Sequence, residues 1–270
     1  MYKVSRVIAL VTFAAMILLP SLIVVLGSFK TDAEVYNKPL SLPESWSLGN
    51  YTRLLSDSDL DVAFRNSIMV TVTSVVLTLL FASMASFAIA RMITISGKVL
   101  ATLFAFGLAI PAQINLVPVY YMFQKLGLTN SFIGLIIINV TTTLPISIFI
   151  LTAFFREISK DMYEASEVDG ASPLRVYRSI ALPLSRPAMG ATSIFLFVIN
   201  WNDLLWPLLL IQQPEKKTLP LAMLAYRGEY FVSFSMLFTA VMVASLPMVI
   251  MYLFMQRSFI AGLTAGAVKG

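Results

Sequence analysis

A polar segment, Asn200-Trp201-Asn202-Asp203, lies near the middle of the apolar run 188–211. If that run crosses a membrane, a carboxylate at such depth costs about 3 kcal/mol or more, so Asp203 is a candidate functional residue. Asn200 and Asp203 are three positions apart, and we predict that they share one helix face. Two interpretations stay open: Asp203 faces a wet pathway, or it binds a backbone amide or a partner helix and fixes packing.

Further polar side chains lie close to prolines in other apolar runs. Gln113 follows Pro111, and Asn139 precedes Pro145. Proline removes a backbone donor, so a helix bends there, and polar side chains in hydrocarbon favour a bundle interior or a wet cavity. Either these prolines only shape the bundle, or the runs line a pathway that opens. The predicted pathway residues are Gln113, Asn139, Asn200, Asn202 and Asp203.

The chain contains no cysteine and no histidine. It therefore lacks disulfides and thiolate or imidazole metal ligands, and it lacks the side chain that most often acts as a general base. The sequence contains no nucleophile elbow, glycine-rich phosphate loop or catalytic carboxylate pair. We predict no catalytic residue, no metal site and no enzymatic activity in this chain.

The composition is that of a membrane protein. Of the 270 residues, 58% are hydrophobic and 12% are charged, whereas soluble domains carry about a quarter charged residues, and the mean hydropathy is +0.84. Continuous apolar runs of about 20 residues can cross a bilayer as helices, and they lack the alternation of a membrane barrel. We predict an all-α polytopic membrane protein with six transmembrane helices, at 7–27, 66–90, 99–121, 132–154, 188–211 and 236–252.

Loop charge predicts the orientation, because cytoplasmic loops carry an excess of Lys and Arg. With the N-terminus inside, the inner segments hold 11 Lys and Arg, against 8 in the outer segments. This modest bias places both termini and the segment 155–187 in the cytoplasm. The net charge of +5 then reflects membrane topology, and it gives no reason to invoke nucleic acid.

Residues 155–187, called the polar loop below, have the pattern of two short helices joined by a turn. Ser159 can cap a helix that runs to about Val168, and Gly170 fits the left-handed position after its end. Ser172-Pro173 matches the N-cap and first residue of a second helix. One apolar stripe follows the first helix, formed by Ile158, Met162, Ala165 and Val168.

The second helix of the polar loop is predicted to end at Leu182-Pro183, before the fifth span. Five acidic and five basic residues cancel across the loop, which argues against simple adhesion to anionic lipid. A short helix with a narrow apolar stripe suits insertion into a protein groove. The residues alone leave two interpretations: a docking element for a cytoplasmic partner, or a connector that lies on the membrane surface.

The letters EASEVDGA at 164–171, followed by Ile180-x-Leu182-Pro183, resemble the EAA loop of ABC-importer permeases, the coupling helix that docks on the ATPase subunit. Ser166 stands where alanine is usual and Tyr177 where phenylalanine is common, and both departures are mild. The resemblance covers nearly the whole chain and indicates the second permease of maltose-type carbohydrate importers. Its other motifs are SFKT at 28–31, PLSLP at 39–43, FRNS at 64–67, WND at 201–203, QRSF at 256–259 and GLTAGAVKG at 262–270.

This resemblance implies the type I permease fold of ABC importers and a four-part assembly in the bacterial plasma membrane. The expected partners are a second homologous permease, two ATPase subunits that bind ATP and Mg, an extracellular solute-binding protein and membrane lipid. This chain would bind no cofactor and hydrolyse nothing. The implied organisation is a first helix with an outer loop at 1–65, a core permease domain at 66–257 and a cytoplasmic tail at 258–270. The implied ATPase-coupling residues are Glu164, Ala165, Ser166, Asp169, Gly170 and Ala171.

The solute implied by the resemblance is a sugar or an oligosaccharide. A related permease for a non-sugar solute such as glycerol phosphate shares the subfamily and is the alternative. A secondary transporter is the rival from another class, but such proteins usually have internal repeats and several intramembrane carboxylates, and this chain has one such carboxylate. The identity of the solute stays open, because the partner permease can hold it in maltose-type systems.

Overall fold

The structure is a computed structural model, and it describes residues 2–56, 58–92, 94–226 and 233–267. Within these residues every regular element is a helix, which confirms the all-α class. Helices form here because backbone groups inside hydrocarbon must be satisfied within their own segment. In chain order the helices are α1 Tyr2–Gly27, α2 Asp32–Asn37, α3 Gly49–Leu55, α4 Ser58–Arg91, α5 Ile95–Ala109, α6 Leu116–Lys125, α7 Phe132–Glu157, α8 Lys160–Val168, α9 Pro173–Val176, α10 Leu182–Leu184, α11 Arg186–Trp201, α12 Leu205–Leu210, α13 Leu219–Met223 and α14 Phe234–Ala267.

Four of these helices, α1, α4, α7 and α14, are long and apolar enough to cross a membrane. Two further candidates are bent pairs, α5 with α6 and the α9–α10 segment with α11. If each bent pair counts as one crossing, the described part of the chain holds up to six. The polytopic class is therefore confirmed, and six is the upper count.

The fifth predicted span is not one continuous helix. α11 ends at Trp201 and α12 begins at Leu205, which leaves Asp203 in a break. The prediction that Asn200 and Asp203 share one face of a single helix is therefore wrong. The reason is local hydrogen bonding, because an Asp side chain that caps a new helix competes with continuation of the old one.

The third predicted span, 99–121, is interrupted as well. α5 ends at Ala109, and a 3₁₀ turn over Ala112–Asn115 leads into α6. Pro111 has no N–H and disfavours the helical conformation in the residue before it, so a break at this point is expected. Pro145 and Pro247, by contrast, lie inside continuous helices. A proline alone therefore does not decide where a membrane helix ends.

Other helices run past their predicted ends. The second helix of the polar loop continues beyond Leu182-Pro183 to Leu184, through a π-helical turn over Tyr177–Ala181. α14 continues to Ala267, across the predicted boundary between core and tail at 257/258. Hydropathy marks only the apolar part of a helix, whereas backbone hydrogen bonding continues into its flanks. The tail is accordingly helical as far as Ala267.

α4 is the central helix, and it packs along α7 and against α11. Small and hydroxyl side chains line the α4–α7 contact: Ala82 is fully buried, and Ser86 Oγ donates a hydrogen bond of 3.1 Å to the carbonyl of Ile148. The hydroxyls of Thr78 and Thr143 meet at 3.2 Å. Small side chains let helix backbones approach closely, which supplies packing where lipid provides no hydrophobic drive.

At the end of the bundle opposite the polar loop, a buried lysine organises the segment after α1. Lys30 is 1% exposed, and its Nζ donates hydrogen bonds to the carbonyls of Lys38 at 2.7 Å and Pro39 at 3.2 Å. Ser41 Oγ lies 3.4 Å away as a third acceptor. A buried ammonium needs such oxygen acceptors because it has lost its water. These contacts close the segment between Lys30 and Ser41 into a loop.

Lys30→Met is expected to lower the free energy of unfolding by about 1–3 kcal/mol, because the carbonyls of Lys38 and Pro39 lose their hydrogen bonds to a charged donor. Lys38→Met is the matched control, since Lys38 forms an exposed 2.8 Å ion pair with Glu44, a contact worth at most about 1 kcal/mol. Unfolding of the detergent-solubilised chain with temperature measures both. Equal destabilisation by the two variants would contradict a structural role for the Lys30 ammonium.

Candidate functional site

A polar cavity of about 230 Å³ lies between α7 and the break that separates α11 from α12. Three of the predicted pathway residues, Asn139, Asn200 and Asp203, line this cavity together, although they come from distant parts of the sequence. The remaining lining residues are Thr142, Thr143, Ile146, Ile199 and Trp206. We call this space the polar cavity.

The helix break positions Asp203. Its Oδ1 accepts hydrogen bonds from the backbone N–H groups of Leu205 at 3.1 Å and Trp206 at 3.4 Å. These N–H groups begin α12 and have no carbonyl partner within that helix, which is the usual reason for an Asp at a helix start. Pro207 follows in the first turn, where a missing N–H costs nothing. One oxygen of Asp203 is therefore committed to structure.

Several polar atoms at the cavity have no partner within the described residues. Asn200 is 6% exposed, and neither its amide oxygen nor its amide nitrogen makes a hydrogen bond there. The second carboxylate oxygen of Asp203, Oδ2, is also buried and without a partner. An unsatisfied buried polar group costs about 1–3 kcal/mol. Such a cost is typical of functional sites, where a ligand or a second subunit supplies the missing bonds.

The other two predicted pathway residues lie elsewhere. Asn202 is exposed, and its amide donates to the carbonyl of Val198 at 2.8 Å and approaches Met248 Sδ at 3.6 Å. It lines a separate pocket toward α13 and α14. Gln113 is exposed in the turn between α5 and α6. The structure therefore does not bring either residue to the polar cavity.

The polar cavity offers hydrogen-bonding groups from its lining side chains. Two amides, two threonine hydroxyls and one carboxylate provide donors and acceptors that match hydroxyl groups. Within the described residues, no cluster of three or more carboxylate, imidazole or thiol groups could hold a metal ion. The arrangement fits recognition of a hydroxylated molecule.

A second candidate site is α8 in the polar loop. Ser159 Oγ accepts a 3.2 Å hydrogen bond from the N–H of Asp161, so the predicted N-cap is confirmed. At the other end the N–H of Ala171 reaches the carbonyl of Ser166 at 2.9 Å, and the N–H of Gly170 reaches that of Glu167 at 3.0 Å. These two bonds form a Schellman motif. Gly170 has φ +72°, as the predicted left-handed turn requires.

α8 is attached to the end of α4 through Arg91. The guanidinium forms an ion pair with Glu167, and it stacks over the ring of Tyr163 at 5.0 Å and of Phe87 at 5.6 Å. Burial raises the pKa of the Tyr163 hydroxyl, so this ring stays neutral at physiological pH. An ion pair combined with cation–π stacking fixes the angle between α8 and the membrane helices.

The second half of the polar loop is anchored in the core. Tyr177 is buried, and its hydroxyl lies 2.7 Å from Ser83 Oγ on α4. Val176 and Ala181 are also buried against α4 and α7. The tip of the loop, by contrast, exposes Val168 at 88% and Leu174 at 53%. A rigid base with an apolar, solvent-facing tip is the form expected of a docking element.

The six predicted coupling residues all lie in α8 or in the turn that follows it. Glu164, Ala165, Asp169 and Gly170 are exposed, whereas Ser166 is buried and donates to the carbonyl of Tyr163 at 2.6 Å. Sequence reasoning missed Arg91 and Tyr163. Arg91 is the first basic residue after an apolar run, and that position was the available signal.

The chain matches a known family over most of its length. Residues 82–264 match the model described as "Binding-protein-dependent transport system inner membrane component". The matched region contains both the polar loop and the polar cavity.

Curated relatives resemble the chain from end to end. The diacetylchitobiose uptake system permease protein NgcG of Streptomyces coelicolor is 32% identical over 96% of this chain and 87% of its own. The multiple sugar-binding transport system permease protein MsmG of Streptococcus mutans is 34% identical over 94% and 92%. The trehalose/maltose transport system permease protein MalG of Thermococcus litoralis is 32% identical over 99% and 97%.

A solved structure has the same fold. It is the crystal structure of a bacterial ABC transporter involved in the import of the acidic polysaccharide alginate, and the match has a TM-score of 0.83 and 22% identity over 96% of each chain. The chain belongs to the family of binding-protein-dependent transport system inner membrane components.

Proposed function

We propose that this chain is one of two permease subunits of an ATP-driven importer for a sugar or an oligosaccharide. Two ATPase subunits bind ATP and Mg beneath the permeases, and an extracellular protein delivers the solute. The polar loop and both termini lie in the cytoplasm of a bacterium. Closure of the ATPases moves α8 and switches the pathway between inward- and outward-facing states. This chain carries no hydrolytic step.

The observation that carries this proposal is the form of the polar loop. Its apolar tip is exposed at Val168, while Tyr177 and Val176 hold its base in the core between α4 and α7. A movement of the tip is transmitted to α4 and α7, because the base of the loop is packed between these helices. A connector lying on lipid needs neither the buried base nor the Schellman turn.

The solute class rests on the relatives and on the polar cavity. NgcG, MsmG and MalG are named for uptake or transport of diacetylchitobiose, multiple sugars and trehalose or maltose. In this chain, Asn139, Asn200 and Asp203 present amide and carboxylate groups to one space. Such groups bind the hydroxyls of a saccharide. The cavity then forms this subunit's side of the pathway.

Uptake into proteoliposomes tests the proposal. The chain is reconstituted with its partner permease, its ATPase and its binding protein, and uptake of labelled disaccharide is measured with ATP, with a non-hydrolysable analogue and with a proton gradient. Saccharide uptake that needs ATP supports the proposal. Uptake driven by the gradient alone would indicate a secondary transporter, and uptake of glycerol phosphate without saccharide would indicate the non-sugar alternative.

Glu164→Lys is expected to reduce ATP-driven uptake at least tenfold. The exposed Glu164 on α8 is proposed to meet a basic residue of the ATPase, and reversing one charge of a docked pair costs about 2–5 kcal/mol. Glu164→Gln, which removes the charge without reversing it, is expected to cause a smaller loss. Both variants are measured by uptake and by co-purification of the ATPase.

Replacing the basic partner residue in the ATPase groove by an acidic one should restore uptake in Glu164→Lys. The same replacement should not increase uptake in Glu164→Gln. If no basic-to-acidic change along that groove rescues Glu164→Lys, the charge pair does not exist.

A further inference from the structure

A basic pocket of about 510 Å³ lies at the polar-loop end of the bundle, where α4, α5, α7 and α8 meet. Its charged lining residues are Arg91, Lys98, Arg156, Lys160, Glu164 and Glu167. Arg91 and Glu167 neutralise each other in an ion pair. Within the described part of the chain, the other three bases form no ion pair at 4.0 Å or less.

The arrangement of charge differs from what the loop composition indicates. The polar loop has equal numbers of acids and bases, which argues against general adhesion to anionic lipid. The fold, however, brings Lys98 from α5 together with Arg156 and Lys160. The pocket therefore has a local excess of positive charge that no single segment of the sequence shows. Tyr163 adds a buried hydroxyl with no partner among the described residues.

An apolar groove of about 320 Å³ adjoins this pocket. It lies between α5 and α7, and Arg156 lines both spaces. Its other lining residues are uncharged: Ala101, Thr102, Phe104, Ala105, Ile148, Phe149, Thr152 and Ala153. Thr152 is 7% exposed, and its Oγ1 has no hydrogen-bond partner in the described residues. The groove leads from the basic pocket toward the membrane interior along two candidate spanning helices.

We propose that the basic pocket and the adjoining groove together bind one anionic phospholipid. The phosphate lies among Lys98, Arg156 and Lys160, and one acyl chain occupies the groove between α5 and α7. Basic pockets between transmembrane helices are the usual sites for anionic headgroups. A free phosphate would satisfy the bases and leave the groove without a role, whereas a neutral lipid would fill the groove and leave the bases unpaired.

The proposed lipid would brace α8 against the membrane helices. Lys160 and Tyr163 belong to α8, while Lys98 and Arg156 belong to α5 and α7. One phosphate bound by both groups ties the proposed coupling helix to the bundle beside the Arg91–Glu167 pair. The inference rests on the proposed function only for placing this end in the cytoplasmic leaflet.

The test is lipid retention by the purified full-length chain, which needs no ATPase. The chain is equilibrated with equal amounts of phosphatidylglycerol and phosphatidylcholine, and the retained lipids are counted by native mass spectrometry. Removal of two bases in Arg156→Gln/Lys160→Gln is expected to lower the preference for phosphatidylglycerol about 25-fold, since each base near a headgroup contributes about a fivefold preference. Arg175→Gln/Arg178→Gln removes the same charge outside both spaces and should change nothing.

A groove variant separates a lipid from a free phosphate. Ala105→Phe fills the groove and should lower retention of both lipids, whereas a site for phosphate alone would be unaffected and would release phosphatidylglycerol to millimolar glycerol 3-phosphate. Unaffected lipid retention in Ala105→Phe, together with release of phosphatidylglycerol by glycerol 3-phosphate, overturns the proposal. An unchanged preference for phosphatidylglycerol in Arg156→Gln/Lys160→Gln also overturns it. If Arg156→Gln/Lys160→Gln fails to fold by circular dichroism, Lys98→Gln/Lys160→Gln replaces it. Because no transport is measured, failure here leaves the proposed importer role untouched.

Discussion

Gly170→Val is expected to leave an assembled membrane protein whose transport-stimulated ATP hydrolysis falls at least tenfold. Gly170 has φ +72°, a conformation that costs an L-residue about 1–2 kcal/mol, and a β-branched one more. No heavy atom lies within 4 Å of a Cβ at this position, so the strain is entirely in the backbone. The chain relieves it by opening the turn, which tilts α8 and its tip.

Gly127 supplies a matched control, because it has φ +67° and also has nothing within 4 Å of a Cβ. It follows α6, away from the polar loop. Gly127→Val should therefore lose similar stability and keep coupled hydrolysis. Asparagine tolerates the left-handed region, so Gly170→Asn should retain most activity. Co-purification of the ATPase and solute-stimulated hydrolysis are the measurements. Normal values for Gly170→Val would exclude a docking role for this turn.

The polar loop was predictable from its residues because helix capping is local chemistry. Gly170 has no side chain and adopts the left-handed turn that ends α8. The side chains of Ser159 and Ser172 accept hydrogen bonds from nearby backbone N–H groups. Such bonds span three or four residues, so the sequence contains both partners. The sequence could not show how the polar loop is attached to the membrane helices, because Arg91 and Tyr177 contact residues far away in the sequence.

The sequence predicted an apolar fifth crossing, but it did not predict the break between α11 and α12. Hydropathy over 188–211 counts apolar side chains, and it is blind to a carboxylate that starts a new helix within the run. Asp203 is a residue type that favours helix starts, and Pro207 lies where a missing N–H is tolerated in a first turn, so the pair was the available signal for a break. Because the helix breaks between them, the three-residue spacing of Asn200 and Asp203 does not place them on one helix face. Asn200 and Asp203 still meet at one cavity, whereas Asn202 lies on the other side.

Asp203→Asn is expected to keep the fold and to reduce uptake about fivefold. Asparagine retains the oxygen that caps Leu205 and Trp206, and it is as good an N-cap as aspartate, so the melting temperature should hold. The loss falls on Oδ2, the oxygen without a partner at the polar cavity, where a charged acceptor binds hydroxyls more strongly than an amide by about 1 kcal/mol. Asp203→Leu removes the cap as well and should be worse for uptake.

Accessibility at position 203 separates a pathway residue from a packing residue. The chain has no native cysteine. In the variant Asp203→Cys, a water-soluble thiol reagent can therefore label this subunit only at position 203. Asn202→Cys is the neighbouring control on the other side of the break. A pathway at the polar cavity predicts that labelling of position 203 changes between nucleotide-free and ATP-bound states and is slowed by saccharide. A cysteine at 203 that is never labelled while uptake remains normal would show that Asp203 only caps α12. The unpaired groups of Asn200 would then belong to the interface with the second permease.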